Sequence, residues 1–135
     1  MENETRIIEF RGREAVSGEW CYGDLVQWES GRKSILHRVP GDGDLSTVEK
    51  IPIYPETVGQ FTGFEDRNGR RIYEGDLLRG DTFYDLARVM WLASRGKLVL
   101  RLEDGFSQDF WDFDGKTAEV VGNVHDNPGM ARGLK

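Results

Sequence analysis

An all-β fold with little helix is the class this sequence predicts, and three observations carry the prediction. Four tryptophans, seven phenylalanines and four tyrosines make 11% of the 135 residues aromatic, and such rings suit pleated, half-buried surfaces. Several short runs alternate apolar and polar residues with a period of two. Glycine-containing turn dipeptides separate those runs, and no long segment has a convincing period of 3.6.

The segment WCYGDLVQW sets Trp20, Tyr22, Val26 and Trp28 at even spacing and reads as a half-buried strand. KSILHRV reads likewise, with Ile35, His37 and Val39 opposite Ser34, Leu36 and Arg38. The run VPGDGDLST, residues 39–47, alternates glycine with aspartate, lacks apolar anchors and predicts a mobile connection. Pro52 and Pro55 then bracket Ile53 and Tyr54 and stiffen an extended connector. In KLVLRLED, Leu98, Leu100 and Leu102 share one face, and Lys97, Val99, Arg101 and Glu103 the other. Residues 94–97 form a looser turn joining that strand to RVMWLA, which predicts antiparallel neighbours. Residues 82–90 are the best helix candidate, but Leu86, Arg88 and Met90 favour a strand there. Asn68-Gly69, Asp104-Gly105 and Asp114-Gly115 predict type I′ hairpin turns. The chain divides into an N-terminal β region (1–56) with a mobile loop near 40–47, a second β region (57–128) and a tail (129–135).

Charge and composition exclude several function classes. Eighteen basic residues against 24 acidic ones leave a net charge of −6, whereas non-specific nucleic-acid affinity comes chiefly from basic side chains. General nucleic-acid binding is therefore not expected. Arg67, Arg70 and Arg71 cluster, but Glu65, Asp66, Glu74 and Asp76 flank them and cancel much of the field. A mean hydropathy of −0.57 with 31% charged residues and no apolar run near the ~18 residues of a membrane span argue against membrane residence. The lone Cys21 rules out an internal disulfide framework, and no export-type start is evident, so the cytoplasm is the expected location.

No metal, cofactor or catalytic motif assembles on the page. An EF-hand register through Asp112, Asp114 and Gly115 puts Phe110 first and Val121 twelfth. One through Asp66, Asn68 and Gly69 puts Phe64 first and Gly75 twelfth, so both lose key ligands. Cys21, His37 and His125 lack zinc-type spacing, and no nucleophile elbow, P-loop or dinucleotide fingerprint occurs. Glu74 and Asp76 could pair as general acid and base, yet nothing supplies the rest of a site. His125 beside Asp126 reads as a polar strand end. The four tryptophans could offer a stacking platform for single strands, but the acidic balance favours the core or a subunit interface.

The stretch TVGQFTGFEDRNGRRIYEGD (57–76), followed by AEVVGNVHDNP (118–128), carries a resemblance across nearly the whole chain. Thr62, Gly63, Asp66, Gly69, Ile72, Tyr73, Glu74, Gly75 and Asp76 match the first block of the YopX family of phage and prophage proteins. Glu119, Val120, Gly122, Asn123, Val124, Asp126, Asn127 and Pro128 match the second. IIEFRG with Trp20, Tyr22 and Gly23 also fits, while Val121 and His125 are mild departures. The resemblance implies an N-terminal antiparallel β region, a C-terminal SH3-like β-barrel, homo-oligomers and no assigned biochemical role.

Physical reading gives the signature residues mainly structural work. Gly59, Gly63, Gly69 and Gly75 suit tight turns and bulges. Asp66, Asn68 and Asp76 can accept nearby amides, and Val58, Phe61, Phe64, Ile72 and Tyr73 supply the apolar half. The expected function is therefore that of a non-enzymatic, homo-oligomeric accessory protein that binds an unidentified phage or host protein, without cofactor or metal. Two alternatives stay open: a nucleic-acid-binding module acting through a barrel face, and an acidic nucleic-acid mimic.

Overall fold

A computed structural model, describing residues 5–38, 47–80, 83–103, 105–110 and 117–134, is built almost wholly from strands. In chain order they are β1 (Phe10–Arg13), β2 (Trp20–Gln27), β3 (Lys33–Arg38), β4 (Val48–Ile53), β5 (Gly59–Glu65), β6 (Arg71–Tyr73), β7 (Asp76–Gly80), β8 (Phe83–Leu92), β9 (Lys97–Leu102), β10 (Ser107–Asp109) and β11 (Ala118–Asn123). A short 3-10 turn, Pro55–Thr57, precedes β5. The sheet orders are β4-β3-β2-β1-β5-β6 and β10-β9-β8-β7-β11. The chain divides into two compact units, Met1–Phe61 and Thr62–Lys135.

In the first unit the core lies on the face that the even-spaced aromatics do not occupy. Cys21, Ile35 and Ile53 are buried there, with Phe10, Leu25, Ile51 and Val58 packed against them. The residues at even spacing point the other way, so Tyr22 and Trp28 are 39% and 41% exposed. The expected half-buried strand forms, with its faces exchanged. Gly23 is the physical reason, because β3 passes so close that an added Cβ would strike the Leu36 carbonyl, and the smaller Cys21 and Leu25 flank it on that face. Burial, and then the Glu14 carboxylate, pushes the Cys21 thiol up to about 11, so it stays protonated at neutral pH. The expected Pro52–Pro55 connector is instead partly strand. Residues 48–53 pair along β3 in register Lys33↔Ile53 to Arg38↔Val48. Pro52 still fits, because β4 is the edge strand of its sheet, where a missing amide donor is tolerated, and its carbonyl accepts from the Ala15 amide at 3.0 Å. The expected mobile loop falls on 39–47, of which only Thr47 lies within the described residues.

In the second unit β8 replaces the candidate helix at 82–90, and β7, β8 and β9 pair antiparallel. Ile72, Leu78, Ala87, Val89, Leu100, Phe110, Ala118 and Val120 form its main core, where Phe64 meets Phe110 edge-to-face at 5.2 Å. Strand β9 is buried on both faces at its centre, Val99 as well as Leu100, where one solvent face was expected. The other face also holds a small core of Leu77, Leu86, Ala131 and Leu134, so the segment expected as a tail folds back onto the sheet. Amides of Met130 and Ala131 bond to the Asn127 carbonyl and that of Leu134 to Ala131, at 2.9–3.2 Å. This compact turn lets one leucine anchor the segment. Leu134→Ala is expected to cost about 2 kcal/mol, read as a lower urea midpoint together with faster amide exchange over residues 127–134.

The hairpin turns use one glycine each rather than a type I′ pair. No residue other than glycine has a positive φ among the described residues, which rules out I′ at Asn68-Gly69. There the Asp66 amide bonds to the Arg70 carbonyl at 2.8 Å and the Gly69 amide to the Asp66 carbonyl at 3.0 Å, with Gly69 at φ +80. That is a type I turn closed by a left-handed glycine, the three-residue hairpin solution. Residues 28–32 repeat this pattern, with Gly31 at φ +90; the Leu102 amide also bonds to the Phe106 carbonyl and the Gly105 amide to that of Leu102, while Asp104 lies outside the described residues. Asp114-Gly115 lies outside the described residues. No hydrogen-bonded pairing closes β10 onto β11 among the described residues. No described helix is long and apolar enough to cross a membrane.

Candidate functional site

The signature residues form hydrogen-bonded knots within the second unit. Asp66 is 5% exposed. Its Oδ1 accepts from the amides of Asn68 and Arg70, and its Oδ2 from Val120 on β11, each at 2.9 Å. Burial by itself raises its pKa, but those three donors, helped by the Arg70 charge, outweigh it and hold the carboxyl below its ordinary range. Thr62 donates to the Ile72 carbonyl at 2.8 Å, and its oxygen accepts from the Phe64 amide at 3.2 Å. Gly63 takes φ +93 within β5.

Asp76, 1% exposed, accepts from the Tyr73 amide at 2.8 Å across the turn that carries Glu74 and Gly75. The Gly75 amide reaches the Val89 carbonyl at 2.8 Å, and its own carbonyl accepts from Val124 at 2.9 Å. The Asn123 side chain bonds the amides of His125 and Asp126 and the Asp126 carboxylate, at 2.8–3.0 Å. Asn127 accepts from the Asn123 amide at 3.2 Å and packs where a Cβ on Gly122 would stand. Pro128 follows, exposed. Apart from the Asn123–Asp126 side-chain pair, the bonds described here run to the backbone, and no cluster of three or more His, Cys, Asp or Glu side chains suited to a metal occurs among the described residues.

A cleft of about 540 Å³ in the first unit has a different character. The turn after β2 ends on Trp28, whose amide bonds to the Arg32 carbonyl at 3.0 Å. Lys33 begins β3, and Lys50 lies on β4, which pairs with β3. Among the described residues, Trp28, Arg32, Lys33, Lys50, Ser30 and Ser34 line the cleft with apolar residues, and no carboxylate does. The Lys50 ammonium stands 5.5 Å from the Trp28 ring centre, an attraction worth roughly 0.5–1 kcal/mol at an exposed site. Three cations around an exposed indole on a chain of net charge −6 make a local positive spot. A second hollow, of about 410 Å³, includes Glu9 and Asp24 beside His37 and has no such bias.

Sequence reasoning passed over this cleft. Arg32 and Lys50 are far apart along the chain, and only the β3–β4 register joins them. Trp20 behaves differently from Trp28, lying under the guanidinium groups of Arg11 and Arg13 at 4.6 and 5.4 Å. Trp91 is 52% exposed, and Trp111 lies outside the described residues.

A family model described as YopX protein matches residues 9–131. The chain belongs to the YopX family. A crystal structure of the protein EF1440 from Enterococcus faecalis is similar in fold, with a TM-score of 0.59 and 22% identity over 92% of this chain and 97% of that one. No curated protein matches the chain. Within this YopX-family chain the two signature blocks coincide with the hydrogen-bonded knots of the second unit, whereas the Trp28 cleft lies in the first.

Proposed function

We propose that this YopX-family chain is a non-enzymatic, phage-derived accessory protein that binds another protein through the Trp28 cleft and works as a homo-oligomer. The carrying observation is the cleft's lining of Arg32, Lys33 and Lys50 around Trp28, with no acid among the described lining residues. An acidic segment with an aromatic or apolar anchor fits that lining, because the cations take its carboxylates and the indole takes the anchor. A short peptide meets only this local field. A long polyanion would also meet the repulsion of the remaining surface. The SH3-like reading of the second unit belongs to the same proposal, as a scaffold for assembly.

Interleaved cations and an exposed indole also favour a second reading, a single nucleic-acid strand stacked on Trp28. Fluorescence anisotropy with a labelled Glu/Tyr-rich peptide and a labelled oligothymidine, at low and moderate salt, separates the two. Peptide binding is expected, reduced about tenfold or more in Trp28→Ala and Lys50→Ala. Binding of the oligonucleotide alone would transfer the function to the second reading. Binding of neither sinks the role of the cleft.

A further inference from the structure

The second unit carries two arginines that face each other with no counter-ion among the described residues. Arg88 on β8 and Arg101 on β9 are direct cross-strand partners, and like charges so placed destabilise a sheet. Both side chains are partly buried, and the Nε of each is screened from solvent with no acceptor. Their hydrogen bonds go to neutral carbonyls, Arg101 Nη1 to Gly105 at 2.8 Å and Arg88 Nη1 to Leu134 at 3.4 Å. Burial, and then the charge of Arg101, lowers the Arg88 pKa, although a guanidinium stays charged at neutral pH. Acids are not scarce. On the same sheet Lys97 has Asp109 at 2.7 Å, and Glu119 of β11 has Arg67 at 3.1 Å.

We propose that the Arg88–Arg101 pair is a binding site for a small phosphate-class oxyanion. Directly opposed side chains start about 5 Å apart at Cβ, so two guanidinium forks can converge on one tetrahedral group and offer it paired N–H donors. The anion would supply the missing negative charge and accept from the guanidinium Nη donors that the Leu134 and Gly105 carbonyls leave over. Glu103, two residues beyond Arg101 and with its side chain 3.8 Å from a Cβ built on Gly133, is an acid beside this face and opposes anion binding. The inference stands on residues of the second unit and is independent of the Trp28 cleft.

Inorganic phosphate is the probe, titrated into the full chain at constant ionic strength against chloride and acetate. At phosphate about ten times its dissociation constant, the unfolding midpoint is expected to rise by roughly 5 °C, with acetate weaker and chloride inert. Arg88→Gln and Arg101→Gln each weaken binding at least about tenfold, Arg95→Gln in the exposed turn between β8 and β9 leaves it unchanged, and Glu103→Gln tightens it. Equal effects of phosphate and chloride, or of phosphate and acetate, overturn the proposal, as does undiminished binding by Arg101→Gln. Should the glutamine variants not fold, arginine Nε–Hε resonances of the unmodified protein decide. Phosphate must shift those of Arg88 and Arg101, and their indifference overturns the site.

Discussion

Asp66→Ala is expected to lower the unfolding free energy by about 3 kcal/mol at neutral pH, because three amides, that of Val120 buried and those of Asn68 and Arg70 partly so, lose a charged acceptor at once. The carboxylate ties the Asp66–Arg70 turn to itself through Asn68 and Arg70, and to β11 through Val120. Asp66→Asn recovers only part of the loss, since one amide oxygen replaces two carboxylate oxygens and its NH2 faces an N–H donor. Urea unfolding of the three proteins measures the order.

The pH dependence has a fixed sign. The folded-state carboxyl titrates below its ordinary 3.8, so its contribution is complete above the unfolded value and is lost as pH falls through the lower, folded one. The gap between wild type and Asp66→Ala should therefore be constant near neutrality and narrow only below about pH 4. A gap that stays constant down to strongly acidic pH would show that the carboxylate charge is not what holds the turn.

Gly23→Ala is expected to cost about 3 kcal/mol or more, despite adding one methyl group. Gly23 pairs with Phe10 in β1, and a Cβ there would fall on the Leu36 carbonyl of β3, with Ile35 Cγ2 at 3.1 Å. A backbone oxygen cannot rotate away as a side chain can, so β2 and β3 must part and the packing of Cys21 and Leu25 on Ile35 loosens. A thermal midpoint lower by several degrees in Gly23→Ala, beside a much smaller change for a glycine facing open space such as Gly129, checks this. An unchanged midpoint contradicts the close approach.

Much of the second unit was legible because its signals are local. Asp66 and Asn68-Gly69 predict a turn with a carboxylate inside it, since a short polar side chain can reach only amides a few residues away. Ile72, Tyr73 and Phe61 are as buried as their apolar chemistry suggests. What local reading missed was the Val120 amide on Asp66 Oδ2, a bond between residues 54 apart in sequence. The turn type at Asn68-Gly69 was misread for a related reason. Asn-Gly is compatible with both I′ and the single-glycine solution, and the flanking pairing chooses between them.

By itself the sequence determined that this chain is a β protein of the YopX family, with tight turns at its glycines and no assembled catalytic motif. Those properties depend on residue type and on spacing within a few positions. Only the tertiary structure decided which face of β2 is core, that Leu134 returns to the sheet, and that Lys50 meets Trp28 and Arg88 meets Arg101. Period-two alternation offers two faces of equal standing, and only the neighbouring strand, by how closely it approaches and in what register, selects one and brings distant charges together.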